Sequence, residues 1–245
     1  MSTWSKLLYQ HDYLAIAQGD VNYYSSVQKF GSNFDVSSNS DPESVWSAGG
    51  LYPWASLDAA ETLYIISTDT GDTDTILLEG LANYLPLIES VQMAGQTAVA
   101  TVNQFKRIYR MEYNHGTINA GTVTARTVSG TGVVVAQVDP TLAQTLMAVY
   151  TVPAGFTGYL LNLDFSVNKG KDAQCRLYAR EFSRSFRIKH LTEVYESSYR
   201  YDFTVPLRFP EKTDIDIIAY QVESAGTRVS CNFDLILVDN ARPNH

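Results

Sequence analysis

Between Thr145 and Val167 two apolar runs flank Val152-Pro153-Ala154-Gly155. The second run alternates. Tyr159, Leu161, Leu163, Phe165 and Val167 would point one way, and Leu160, Asn162, Asp164 and Ser166 the other. Period-two alternation over this length predicts a strand with one buried and one mostly solvated face. Proline fixes φ and removes a ladder donor, and glycine admits φ > 0, so the break predicts a tight turn. Strand, turn and long strand together read as the opening hairpin of a β-domain.

The same pattern repeats upstream. It predicts short strands over Leu63–Ser67, Thr75–Glu79, Leu87–Met93, Thr97–Val102, Phe105–Tyr113, Thr122–Val128 and Val133–Val138, separated by turns rich in glycine and asparagine. Downstream it predicts strands through Cys175, over Ser185–His190, Tyr201–Phe209, Asp214–Val222 and Arg228–Val238. Pro206 inside a strand pattern marks an edge or a bulge. Residues 31–61 carry Gly31, Ser37-Ser38-Asn39-Ser40-Asp41-Pro42 and Gly49-Gly50, which is loop chemistry. Residues 1–30 are aromatic and weakly patterned, with a short helix over Lys6–Ala17 as the one regular element in prospect. The expected architecture is therefore all-β. It has an extended N-terminal arm (1–30), a first β-domain with an N-terminal loop region (31–140) and a second β-sandwich (141–245). The two domains stand in tandem, jelly-roll or Ig-like. No internal repeat relates them.

Composition fits this reading: 245 residues, 45% hydrophobic and 18% charged, with sixteen tyrosines. No apolar run reaches membrane-spanning length. The first residues lack the pattern of a cleaved secretory leader, so synthesis and folding in a cytoplasm are expected. The net charge of −8 is uneven. Residues 1–105 hold two lysines against twelve acids, about −10, and the remainder is about +2. The acidic half speaks against nucleic acid as partner. A solvated acidic surface that keeps the protein soluble is the better reading, with a basic partner or stacking of unlike ends as the alternative. Cys175 and Cys231 read as small core residues, unpaired.

Reactive constellations are few. Asp69-Thr70-Gly71 resembles half of an aspartic-protease dyad, but that chemistry needs two aspartates sharing a proton. A polar hairpin turn is the better reading. Asp69, Asp72 and Asp74 offer hard oxygens for calcium but lack the spacing of a calcium loop. His11, His115, His190 and His245 stand apart, so no metal set and no cofactor is expected. Trp46, Tyr52 and Trp54 read as plugs anchoring the loop, or else as a sugar-stacking platform. Arg176, Arg180, Arg187 and Lys189 are expected to share an outward face as a positive patch. Trp4, Tyr9, Tyr13, Tyr23 and Tyr24 are expected to dock the arm on the rest of the chain or on a neighbouring subunit.

Several phrases resemble the structural proteins of aquatic tailed bacteriophages. Early ones are Lys29-Phe30-Gly31-Ser32-Asn33-Phe34-Asp35-Val36, Glu43-Ser44-Val45-Trp46, Gly49-Gly50 and Tyr52-Pro53. Leu78-Glu79-Gly80-Leu81, Glu89-Ser90-Val91, Gly95-Gln96-Thr97 and Asn119-Ala120-Gly121-Thr122-Val123 follow. Late ones are Gln144-Thr145-Leu146-Met147, Tyr150-Thr151-Val152-Pro153-Ala154-Gly155, Phe209–Ile215 and Phe233–Asn240. The resemblance covers residues 28–240. It implies a non-enzymatic virion component that meets other virion proteins and copies of itself, assembled in the host cytoplasm. A capsid-decorating (cement) protein is the leading form. A tail, neck or fibre-adaptor protein comes next, then a carbohydrate-binding receptor-recognition module.

Overall fold

The computed structural model describes residues 13–37, 41–114, 118–220 and 226–243. A short helix over 13–18 precedes sixteen strands. Eight of these make a sandwich: β1 (Tyr24–Val36), β10 (Val149–Thr151), β11 (Phe156–Val167), β12 (Asp172–Arg180), β13 (Arg187–Tyr195), β14 (Ser198–Phe209), β15 (Asp214–Tyr220) and β16 (Thr227–Asp239). One sheet runs β1-β16-β11-β14. The other runs β10-β15-β12-β13, with the short β2 (Glu43–Ser44) added beside β15. Counted along the sandwich, the orders are first-eighth-third-sixth and second-seventh-fourth-fifth. That is jelly-roll topology, a choice the sequence pattern had left open.

Between β2 and β10 the chain leaves this sandwich and builds another. Its strands are β3 (Glu61–Ser67), β4 (Thr75–Ala82), β5 (Leu85–Gln92), β6 (Val99–Phe105), β7 (Arg107–Tyr113), β8 (Val123–Arg126) and β9 (Val134–Val138). They form sheets β6-β3-β8-β9 and β5-β4-β7 around Leu63, Ile65, Ile76, Leu78, Phe105 and Met111. The second unit is thus an insertion in the first, rather than its tandem predecessor. Nor does the expected arm extend to residue 30, because residues 24–30 are the first half of β1 and pair with β16 from Val238 to Asn232.

The core-facing side of β1 explains why alternation did not reveal it. Its residues are Val27, Lys29, Gly31 and Asn33, opposite Leu235, Phe233, Cys231 and Val229. Gly31 admits the crossing chain: a Cβ there would lie 2.3 Å from the Ala148 nitrogen and 2.4 Å from the Val45 oxygen. Asn33 donates to Glu43 at 2.9 Å, and Glu43 also accepts from the Ser37 and Gly50 amides at 2.8 and 3.0 Å. These contacts tie the start of the insertion to the sandwich.

The central strand also departs from strict alternation. Both ladders of β11 skip Leu161: Leu160 faces Leu235 and Leu207, and Asn162 faces Asp234 and Asp202. An extra residue in one strand reverses the phase beyond it. Leu160 therefore points inward with Leu163, Phe165 and Val167, while Tyr159 and Leu161 lie on the outer face beside Ile16 of the helix. In β14 Tyr201, Phe203, Val205, Leu207 and Phe209 alternate with polar residues or proline, yet only Phe209 of the five is fully buried, and Val205 is exposed. Pro206 lies on this edge strand inside the register shift, as a residue without a ladder donor must. Cys175 and Cys231 are free and buried in the jelly-roll core. Burial pushes both thiols up, Cys175 to about 12.

Candidate functional site

The junction between the units follows from β15. Ile215, Ile217 and Ala219 face the jelly-roll core, so Asp214, Asp216 and Ile218 must face the other way. Alternation by itself would send those aspartates to solvent. The insertion covers them instead. Asp214 accepts from Arg107 of β7 in a bidentate pair at 2.9 and 3.0 Å and from Arg180 of β12 at 2.7 and 3.0 Å. Thr151 adds a hydroxyl at 2.6 Å. Arg107 is buried and spends its remaining donor on the carbonyls of Leu57 and Lys106 at 2.6 and 2.7 Å. The half-exposed Asp58 stands 3.6 Å from Arg107 and 3.7 Å from Arg180. A buried carboxylate meeting two guanidiniums is geometrically specific and intolerant of losing one partner.

Asp216 receives the Trp54 indole N–H at 2.8 Å and the Ser44 hydroxyl at 3.1 Å on one oxygen; the other oxygen is buried without a partner among the described residues. Burial pushes this carboxyl up to about 7 against those two hydrogen bonds. On another side of the junction Lys29 donates to the Tyr109 carbonyl and lies 5.6 Å from the Tyr109 ring centre, with Glu79, Arg110 and Tyr150 beside it. Burial, assisted by the Arg110 charge, draws this amine down to about 7. Neither group was singled out in the sequence. A lone lysine or aspartate carries no spacing signal when its partners lie 80 to 172 positions away.

The aromatic trio belongs to the same junction. Trp46, Tyr52 and Trp54 are 3%, 3% and 7% exposed. They contact one another edge-on at 5.1 and 4.7 Å, and Tyr52 reaches the Ile108 carbonyl at 3.2 Å. Their ring faces are closed to a sugar, so the plug reading holds and the stacking platform falls. The aspartate loop is likewise spent on itself. Asp72 is buried and accepts from Ser67 at 2.5 Å and from the Ala120 and Gly121 amides at 2.8 and 2.9 Å. These bonds hold its carboxyl below its usual range although burial acts against them. Asp69 closes on the Gly71 amide at 2.7 Å. This is the polar turn expected. Among the described residues no acid, histidine and cysteine cluster is arranged to hold a metal.

The positive patch is split. Arg176 and Arg180 do share the outer face of β12, but Arg180 is drawn onto Asp214, and Arg176 lies 4.4 Å from the Tyr220 ring centre with Gln174 at 2.6 Å. Arg187 pairs with Ala179, a core-facing residue, and so stands on the opposite face. The cause is a bulge: Leu177 faces His190 and Tyr178 faces Ile188, leaving Lys189 as the extra residue. Arg187 and Lys189 instead gather with Arg184 and Glu181 at the rim of the loop after β12. Of the aromatic arm, Trp4 and Tyr9 lie outside the described residues. Tyr13 and Tyr23 are exposed, and Tyr24 is half-buried at the start of β1.

Among the described residues β13 pairs only with β12, and β14 only with β11, so each of these strands is a sheet edge. Ile188, Leu191, Tyr195, Tyr201 and Val205 are exposed along these two edges. No described helix is long and apolar enough to cross a membrane.

No family model matches this sequence, and no curated protein matches it. Among solved structures, the VP2 subviral particle of infectious bursal disease virus is similar at a TM-score of 0.23 and 10% identity, over 91% of this chain and 74% of that one. The structure of the Gt strain of the same virus gives 0.21 and 10%, over 89% and 77%. Likeness this slight carries nothing about what the present chain binds or does.

Proposed function

We propose that this chain is a non-enzymatic structural protein of a virus particle that works by protein–protein contact, in the form of a capsid-decorating protein. The carrying observation is the pair of open strand edges with five large apolar side chains. Unpaired edges are templates for association, and soluble proteins ordinarily blunt them with charge. β13 does carry Arg187 and Lys189, but its apolar residues continue past them. The jelly roll hosts viral capsid domains as well as lectins and cupins, which is an argument by fold class only. The phrases resembling phage virion proteins point the same way, with tail, neck or fibre-adaptor placement as the alternative on the particle.

Light scattering on the full chain tests the reading. The wild type is expected to form a defined oligomer that buries about 1,000 Å² or more at each contact. Leu191→Lys combined with Val205→Glu is expected to give a folded monomer. A wild type that stays monomeric at all concentrations, or an oligomer indifferent to both changes, overturns self-association through these edges. Locating the protein on intact particles by cryo-microscopy separates shell from tail.

A further inference from the structure

Three turns converge on a cleft between the insertion and the jelly roll: the β4–β5 turn at Tyr84, the β12–β13 loop at Phe182, Ser183 and Arg184, and the β14–β15 turn at Lys212. Each holds a non-glycine residue with left-handed φ, at 67° for Tyr84, 59° for Ser183 and 59° for Lys212. Such residues persist only where surrounding contacts over-determine them, and they gather at ligand sites. Here the Tyr84 carbonyl accepts from the Ala154 amide at 2.8 Å, and the Lys212 amide donates to the Val152 carbonyl at 2.7 Å.

The side chains so placed are cationic. Lys106, Arg184 and Lys212 line the cleft above the buried Arg107–Asp214–Arg180 cluster. Lys106 donates to the Asp58 backbone carbonyl, but among the described residues none of the three is ion-paired, and the acids nearby are engaged. Asp214 holds two arginines, Asp58 stands against both, and Glu181 faces Lys189 at 4.0 Å. Lys212 Nζ lies 5.1 Å from the Phe182 ring centre and 5.8 Å from that of Tyr84, and Lys106 Nζ lies 5.6 Å from the Tyr84 ring. Ammonium groups already occupy those aromatic faces, so the cleft has no platform for a neutral sugar. It has unmatched positive charge close to a low-dielectric floor, where attraction for an anion is strongest.

We propose that this cleft binds an oxyanion through Lys106, Arg184 and Lys212, either free phosphate or the carboxylates of an acidic chain segment. The site stands apart from the assembly reading: a monomer that binds anions here would overturn that reading and leave this one intact. The test is calorimetric titration of the full chain with inorganic phosphate and, separately, with a hexaglutamate peptide at about 150 mM salt, where weak surface attraction is screened. Saturable binding of at least one is expected. Arg184→Gln with Lys212→Gln should weaken it about tenfold or more, and Lys169→Gln, an exposed change elsewhere, should leave it unaltered. Phosphate alone binding identifies a free anion, and peptide alone an acidic segment. Amide shifts on the wild type, confined to the turns at 83–84, 182–184 and 211–213, supply a readout that needs no variant. Absence of saturable binding, equal binding by the double variant, or shifts elsewhere would each overturn the site.

Discussion

Ile215, Ile217 and Ala219 on one side of β15 join a jelly-roll core of hydrocarbon and two inert thiols, whereas Asp214 and Asp216 on the other side meet arginines, an indole N–H and hydroxyls. Both faces are equally shut off from water. They differ in how their contacts fail. Hydrocarbon contacts are many, small and non-directional, so the loss of one leaves a cavity but no unpaired charge. The junction depends on a few directional bonds, and removing one partner strands a buried charge. The jelly roll is therefore held by bulk, and the seating of the insertion upon it by specific pairing.

The sharpest break of this comparison is Arg107→Ala. It should cost about 3–5 kcal/mol in denaturant unfolding, because Asp214 keeps only a partly exposed arginine. Arg107→Met with Asp214→Leu should recover most of that loss. A double variant as unstable as Arg107→Ala would mean that packing, not pairing, holds the junction. On the opposite face Phe165→Ala, whose ladder neighbours are Cys231 and Tyr199 and not Lys29, should also cost roughly 3–5 kcal/mol, but equally at pH 5 and pH 8. A cost that varies with pH there would erase the distinction between the faces.

The two shifted groups give the junction a pH signature. Asp216 binds a proton up to about pH 7 when folded but releases it near 3.8 when unfolded, so its contribution to stability falls as pH rises across that window. Lys29 is deprotonated above about pH 7 when folded and only above 10.5 when unfolded, so its contribution rises with pH from there. Asp216→Asn should flatten the acid limb and Lys29→Met the alkaline limb, each spanning up to ~4 kcal/mol. Melting temperatures read across pH 4–10 check both, and a wild-type profile without a minimum near neutrality refutes the pair. The smallest effect on stability is expected at the open edges. Leu191→Lys with Val205→Glu should cost about 0.5 kcal/mol or less per site while removing self-association.

Much of the architecture was legible in the residues. The all-β class, most of the strands, the polar turn at Asp69–Asp74, the free buried cysteines and the plugs at Trp46, Tyr52 and Trp54 follow from period-two alternation and turn chemistry. Both are local, and each stretch of chain carries them alone. What escaped was set by partners distant in sequence. β1 hid because Lys29, Gly31 and Asn33 face the core only where Tyr109, Ala148 and Glu43 meet them. The bulges at Leu161 and Lys189 reversed the outward sense of β11 and divided the arginine patch, and a single extra residue leaves no trace in composition.

The residues by themselves thus determined that this chain makes strands and where most of them turn. The tertiary structure alone decided that one sandwich is inserted within another, that Asp214 and Asp216 are buried, and that Lys106, Arg184 and Lys212 share a cleft. Alternation records only that a side chain faces away from its neighbours along the strand. Whether water or another sheet lies on that side depends on pairings made across more than a hundred residues.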